Sequence, residues 1–167
     1  MPSHLYCYQK GAEALSSAEE LVKRYENMLF RVALSHTGIR EDAEDMVQET
    51  FLKWFRSKPS FASEEHEKAW LLRVCINLCR NLVKKKGNRG QVELLDIYPA
   101  QDTEELYLIE EVMRLPSLHR DAIYLFYYEG YTTAQIAGIL ETKESTVRSY
   151  LHRGRQKLKR WLENEEV

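Results

Sequence analysis

Turn-forming residues are scarce in this chain: its 167 residues include seven glycines and four prolines. An all-β fold, which needs such residues at most of its hairpins, is excluded. No apolar run approaches the roughly 20 residues of a membrane-spanning helix. The opening stretch MPSHLYCYQKGAEALSS has no basic patch followed by an apolar core, so it is not a secretory leader. Direct membrane insertion is therefore not expected, and the cytoplasm is the default location. Cysteine is equally sparse. Cys7, Cys75 and Cys79 are an odd number with no disulfide-framework spacing. Cys75 and Cys79 stand four apart, as a metal pair on a helix would, but no third and fourth ligand lies nearby at zinc-like spacing, so no metal is expected. Catalytic groupings are missing too. His4, His36, His66, His119 and His152 pair with no Cys, Ser or acid at catalytic spacing, and there is no glycine-rich phosphate cradle. The chain is not expected to be an enzyme, to need a cofactor or to take a small-molecule substrate.

A basic surplus is the last absence: net charge is −2, which argues against a protein that coats nucleic acid unaided. The charge is unevenly spread, however. Residues 1–86 carry +2, residues 87–110 carry −5 and residues 111–167 carry +1, with the positive groups of the last part gathered near its end. Hydrophobic content of 44% and charged content of 30% suit a soluble, mainly helical chain with a sizeable core.

Periodicity then organises the chain. Residues 1–15 show no clear period and read as an N-terminal extension. Overlapping S-x-x-E capping boxes at Ser16–Glu20 open a first helix, with Leu21, Tyr25, Met28, Leu29 and Val32 inward and Thr37-Gly38 at its end. A second helix runs from about Glu41 to Arg56, turning Ala43, Met46, Val47, Phe51, Trp54 and Phe55 inward and Asp42, Asp45, Gln48, Glu49 and Lys53 outward. A polar loop over 57–68 carries Phe61. A third helix, from about Glu67 to Lys86, sets a broad apolar face against a polar stripe of Arg73, Asn77, Arg80 and Lys84, spaced four, three and four. Asn77 lowers helix propensity there; either it bridges within the core or it bonds something outside. Lys84-Lys85-Lys86-Gly87 is a helix end, and the acidic, aperiodic, Pro99-containing stretch over 87–103 reads as a flexible linker. A second helical block occupies 104–167: Leu106, Ile109, Val112 and Met113 inward, a break at Leu115-Pro116 with Ser117 as a cap, then a helix over about 118–128.

The block ends on YTTAQIAGILETKESTVRSYLHRGRQKLKRW, from Tyr131 to Trp161. Ile136, Ala137 and Leu140 mark a short buried helix, and Glu141 to Glu144 a tight break. Ser145 or Thr146 can cap a longer helix with Val147, Leu151, Leu158 and Leu162 inward. That is the pattern of a helix-turn-helix, whose second helix enters the DNA major groove. From Lys143 to Arg160 there are seven basic residues against one acid, Glu144. The expected fold is all-α: two small helical domains, 16–86 and 104–167, joined by the linker, the C-terminal one a helix-turn-helix.

The ordered set of stretches resembles an extracytoplasmic-function (ECF) sigma factor of bacterial RNA polymerase. Asp42 to Arg56 (DAEDMVQETFLKWFR) is similar to that family's polymerase-binding helix, and Phe61 to Lys84 to its helix for the opened promoter strand. Leu115 to Leu158 is similar to its C-terminal domain. The resemblance implies a subunit that binds core RNA polymerase, recognises the −35 and −10 promoter elements and promotes DNA opening for transcription initiation. It assigns polymerase binding to Asp45, Gln48, Glu49 and Lys53. It assigns the −10 element to Phe61, Ser63, Arg73, Asn77, Arg80, Lys84 and Lys85, with Asn77 in a pocket for a flipped base. It assigns the −35 element to Thr133, Thr146, Arg148, Ser149, His152 and Arg153. The expected partners are polymerase core, promoter DNA and an anti-sigma factor. This sequence departs from the family pattern at Gln135 (often Glu), at Glu141 (commonly Gly) and at Tyr150 (frequently Arg). The competing reading is a free-standing helix-turn-helix regulator, for which residues 17–86 would have to supply a dimer or effector surface.

Overall fold

The computed structural model describes residues 3–87, 108 and 111–165, with side chains over 17–87, at 108 and over 111–164. No strand occurs among the described residues. The chain divides into two units, Met1–Arg89 and Gly90–Val167.

The first unit packs three helices pairwise: α1 (Ser3–Thr37), α2 (Arg40–Ser57) and α3 (Glu64–Lys86). Its core is the expected apolar stripes meeting one another. Leu29 and Ala33 of α1, Ala43 of α2, and Leu71, Leu72, Cys75 and Cys79 of α3 have no exposed surface. Burial of each leucine stabilises the unit by roughly 1.5–3 kcal/mol. The two cysteines belong to this core, and Cys75 Sγ lies 3.8 Å from the Leu29 carbonyl. Gly38, at φ 68°, lets the chain reverse between α1 and α2. Ser63 caps α3 by accepting from the His66 N–H at 3.2 Å, so this helix starts one turn earlier than its hydrophobic period indicates. Ion pairs lace the surface: Arg24 with Glu64 at 3.1 Å, and Lys86 Nζ with both carboxylate oxygens of Asp42 at 2.7 Å.

Two expectations are corrected here. Residues 3–15, read from the sequence as lacking a clear period, are helical and form the first turns of α1, which runs unbroken through the Ser16–Glu20 capping boxes. A capping box acts only where a helix begins. Upstream of it stand Leu5, Gln9, Lys10, Ala12, Glu13, Ala14 and Leu15, all good helix formers, so extending a helix already nucleated by its packed half costs little. Asp42, expected to point outward, is held at the surface by Lys86 and its side chain is only 15% exposed.

The second unit has a helical turn at 111–114, then α4 (Ser117–Tyr127), α5 (Thr133–Ile139) and α6 (Glu144–Glu165). Pro116, not Ser117, sits at the N-cap of α4: proline's fixed φ suits a helix start, and Ser117 is already helical. The carbonyls left open at this break are met from within, because buried Arg120 donates to Met113 O at 3.4 Å and Leu115 O at 3.3 Å. Thr132 and Gln135 form a reciprocal capping box at the start of α5, so the glutamine found where the family often has glutamate serves the same geometry. Glu141 takes φ 53°, the left-handed conformation for which glycine is the usual occupant. The turn after α5 is thus built as the helix-turn-helix pattern requires, with a strained residue in it. The helix α6 starts at Glu144, so Ser145 and Thr146 lie inside it; the Lys143 carbonyl accepts from the N–H groups of both Thr146 and Val147. Val147, Leu151 and Leu158 face the core with Ile136, Ala137 and Leu125. At Gly154, α6 comes against α4: a Cβ there would lie 3.0 Å from Ile123 Cγ1.

Candidate nucleic-acid interface

Helical geometry sorts the α6 side chains cleanly. Ser145, Arg148, Ser149, His152, Arg153 and Gln156 are exposed, at the three-and-four spacing of one helix side, opposite the buried Val147, Leu151 and Leu158. Arg155, Lys159 and Arg160 extend the positive charge beside this row. Four of the six residues expected at the −35 element, Arg148, Ser149, His152 and Arg153, therefore share one presented surface. Thr146 is half-buried at its flank. Thr133 is half-buried at the first turn of α5, and its Oγ donates to Glu144 Oε1 at 2.6 Å.

Glu144 is the residue the sequence reading missed. The same Oε1 accepts from Arg148 Nη2 at 2.7 Å, so one carboxylate joins the start of α5 to the first basic residue of the exposed row. The Thr133 hydroxyl and then the Arg148 guanidinium hold the Glu144 carboxyl below the usual carboxylate range. An acid four residues before an arginine was the available signal. Tyr150, at a position where the family frequently has arginine, turns away from the row and meets His119 of α4 edge to face, ring centroids 5.4 Å apart. Neither nitrogen of His119 has a hydrogen-bond partner, and both are buried. Burial, then the charges of Lys157 and Arg153, lower its pKa.

In the first unit, Trp70, Arg73, Asn77, Arg80 and Lys84 line one side of α3, opposite Leu72, Cys75 and Cys79. Arg73, Asn77 and Arg80 are half-buried, while Lys84 and Lys85 are exposed. Phe61 packs edge to face on Trp70 with centroids 5.9 Å apart, so the loop aromatic stands at the head of this strip. Ser63 contributes through its cap on α3, which sets where the strip begins. On α2, Asp45, Gln48, Glu49 and Lys53 again share one side, Glu49 lying 3.7 Å from Arg56. Among them is Leu52, 40% exposed, an apolar group the hydrophobic pattern alone did not single out. A second apolar feature is a groove of about 450 Å³ in the second unit, walled by Leu108, Val112, Tyr127, Tyr128, Leu158 and Leu162.

Among the described residues no group of His, Cys, Asp and Glu is placed to hold a metal ion, and no helix is long and apolar enough to cross a membrane.

Comparison with known proteins finds a family match in each of the two units. The family described as Sigma-70 region 2 matches residues 21–89, and that described as Sigma-70, region 4 matches residues 105–158. The ECF RNA polymerase sigma factor SigE of Mycolicibacterium smegmatis is 36% identical over 163 residues, covering 89% of this chain; the chain spans 63% of that relative's length. SigM of Mycobacterium tuberculosis, another ECF RNA polymerase sigma factor, is 30% identical over 149 residues, 86% of this chain and 76% of the relative. Among solved structures, the sigma factor RpoE of Bartonella quintana, in complex with the anti-sigma factor NepR, aligns with a TM-score of 0.70 at 25% identity, covering 87% of this chain and 96% of that one. With two helical units, a helix-turn-helix in the second, and both sigma-70 regions in order, the chain belongs to the ECF sigma factors of RNA polymerase.

Proposed function

We propose that this chain binds core RNA polymerase, carries it to promoters bearing a −35 and a −10 element, and assists DNA opening there. One observation carries the reading: a single chain presents two separate helix surfaces suited to DNA in different states. The α6 row, with Arg148, Ser149, His152 and Arg153, has the donors that read base edges in a major groove. The α3 strip pairs an aromatic head, Phe61 on Trp70, with an amide at Asn77 and cations at Arg73, Arg80, Lys84 and Lys85. Aromatic faces, an amide and cations suit an opened strand and its extruded base. Thr133 and Thr146 flank the −35 surface, and Ser63 sets the start of the −10 strip. The α2 side holding Asp45, Gln48, Glu49, Lys53 and Leu52 is the polymerase-binding face, polar with one apolar contact.

The division of labour follows the domains: residues 16–86, continuous with the rest of α1, serve polymerase and the −10 element. Residues 104–167 serve the −35 element, and 87–103 link them; apart from Gly87, the linker lies outside the described residues. The chain contributes recognition and no catalytic group, and it acts in the cytoplasm, where polymerase and chromosome are. An anti-sigma factor is the expected restraint, as one is bound to the RpoE neighbour. The test is run-off transcription with bacterial core polymerase on a promoter library. Initiation at discrete sites only in the presence of the chain supports the proposal. Tight, specific duplex binding without core, and no start-site selection with it, would instead mark a free-standing helix-turn-helix regulator.

A further inference from the structure

An acid at the start of a DNA-reading helix is costly: it faces a polyanion at the end where phosphates gather. Glu144 nevertheless stands there, as the only acid among the eighteen residues from Lys143 to Arg160. Its geometry suggests what offsets the cost. One oxygen accepts both the Thr133 hydroxyl at 2.6 Å and Arg148 Nη2 at 2.7 Å, and the Arg148 side chain beyond that contact is 65% exposed. An arginine discriminates guanine by two parallel N–H bonds to O6 and N7. A long, freely rotating side chain loses much conformational entropy in forming such a pair, and it serves a phosphate equally well. A guanidinium already held by a carboxylate loses less, and its remaining N–H groups have a defined direction. The second bond, to Thr133, fixes the carboxylate itself to the neighbouring helix, so the direction is set by the helix-turn-helix frame.

We infer that Glu144 is a positioning residue for promoter specificity. Anchored on Thr133, it aims Arg148 at a guanine of the −35 element and keeps Arg148 from serving as a general phosphate contact. The inference rests on α6 being the −35 reader. It predicts an unusual pairing of effects: loss of the Glu144 charge weakens base discrimination while strengthening binding to DNA of any sequence.

The experiment is competition among promoters randomised at each −35 position, transcribed in one reaction by core polymerase with wild-type protein, Arg148→Ala, Glu144→Gln or the double variant. Ratios within one reaction do not depend on how much of a variant is active. Arg148→Ala should flatten the preference at one base pair, a preference of about 5- to 150-fold if the contact is bidentate. Glu144→Gln keeps the size of the side chain and an oxygen for Thr133. It should reduce that same preference at least fivefold, leave the other positions within twofold, and have no further effect on an Arg148→Ala background. Retention by non-specific duplex should rise. The inference is overturned if Glu144→Gln leaves the preference within twofold, or shifts it equally with and without Arg148, which would make Glu144 only a staple between α5 and α6. If Arg148→Ala changes no base preference at all, the −35 assignment of α6 fails, and this inference with it.

Discussion

The contact between α4 and α6 at Gly154 is open to a graded test. Helix propensity alone says that replacing a glycine inside α6 with alanine or leucine stabilises the helix by about 0.8–1 kcal/mol. Packing opposes this, because the new Cβ would lie 3.0 Å from Ile123 Cγ1, 3.4 Å from its Cδ1 and 3.7 Å from His119 Cβ. Ile123 is 2% exposed and β-branched, so it has little freedom to swing aside. Overpacking of this kind costs about 1–3 kcal/mol. Gly154→Ala should therefore fall between neutral and about 2 kcal/mol less stable. Gly154→Leu, which adds three further carbons to a gap that does not hold the first, should lose about 2 kcal/mol net. In a unit of this size 1 kcal/mol corresponds to about 4–8 °C in melting temperature, so the leucine variant should unfold some 8–16 °C earlier. Differential scanning calorimetry of the full chain reads this on the transition of the second unit, with that of the first unit unmoved. In transcription, promoters that depend on their −35 element should suffer first, because a displaced α6 no longer sits correctly on its frame. A leucine variant as stable as wild type, or an alanine variant that is more stable, would refute the argument that packing outweighs propensity here.

Other expectations can be checked with similar economy. Asn77→Ala should slow promoter opening, followed by permanganate reactivity at the −10 element, while binding to core polymerase stays within twofold; equal loss of both would place Asn77 in the structure rather than in the strand contact. Glu141→Gly should leave stability unchanged or raise it by up to about 1 kcal/mol, since glycine takes φ 53° without strain, whereas Glu141→Val should lower it by about 1–2 kcal/mol; urea denaturation distinguishes the two. His119, with its pKa lowered in the fold, contributes stability that is complete above the ordinary imidazole value of about 6.5 and lost as pH falls from there toward the lowered folded value. Urea midpoints of the wild type should thus drop between pH 7 and pH 5 more than those of His119→Gln. The Glu144 carboxyl, also lowered, should keep its bonds to Thr133 and Arg148 into acid, so the −35 base preference of the chain bound to core polymerase should survive at pH 5.

The helices were legible because they announce themselves by period. The stripes Leu21–Val32, Ala43–Phe51 and Leu71–Cys79 alternate at three and four, and most of their residues are buried, with Met28, Met46 and Leu78 half-buried. Helix ends were less legible. Ser16, Ser117 and Ser145 all carry capping chemistry, yet none caps, because an upstream run of helix formers, a proline and a lysine carbonyl respectively took the boundary elsewhere. Strain at Glu141 was visible as a missing glycine. The candidate surfaces were legible as rows, since four residues on α6 and four on α2 needed only helix geometry to come together. What stayed hidden was everything set by distances between elements. The hydroxyl of Thr133 reaches Glu144 across eleven residues, His119 lies under Tyr150, and Gly154 touches Ile123; no local pattern encodes such meetings.

The pairing of Lys86 with Asp42 has a bearing on promoter architecture. It joins the last turn of α3 to the first turn of α2, and Gly87 at φ 70° closes the helix immediately after. As an exposed pair it adds at most about 1 kcal/mol, too little to matter for folding. Its effect is metrical. On the function proposed above, the backbone would leave the −10-binding unit from a point tied to the polymerase-binding helix rather than from a fraying end, so the reach toward the upstream element would be counted from that tie. Releasing that origin, as Lys86→Ala would, should broaden the range of spacer lengths the holoenzyme accepts without changing which bases it prefers at either end.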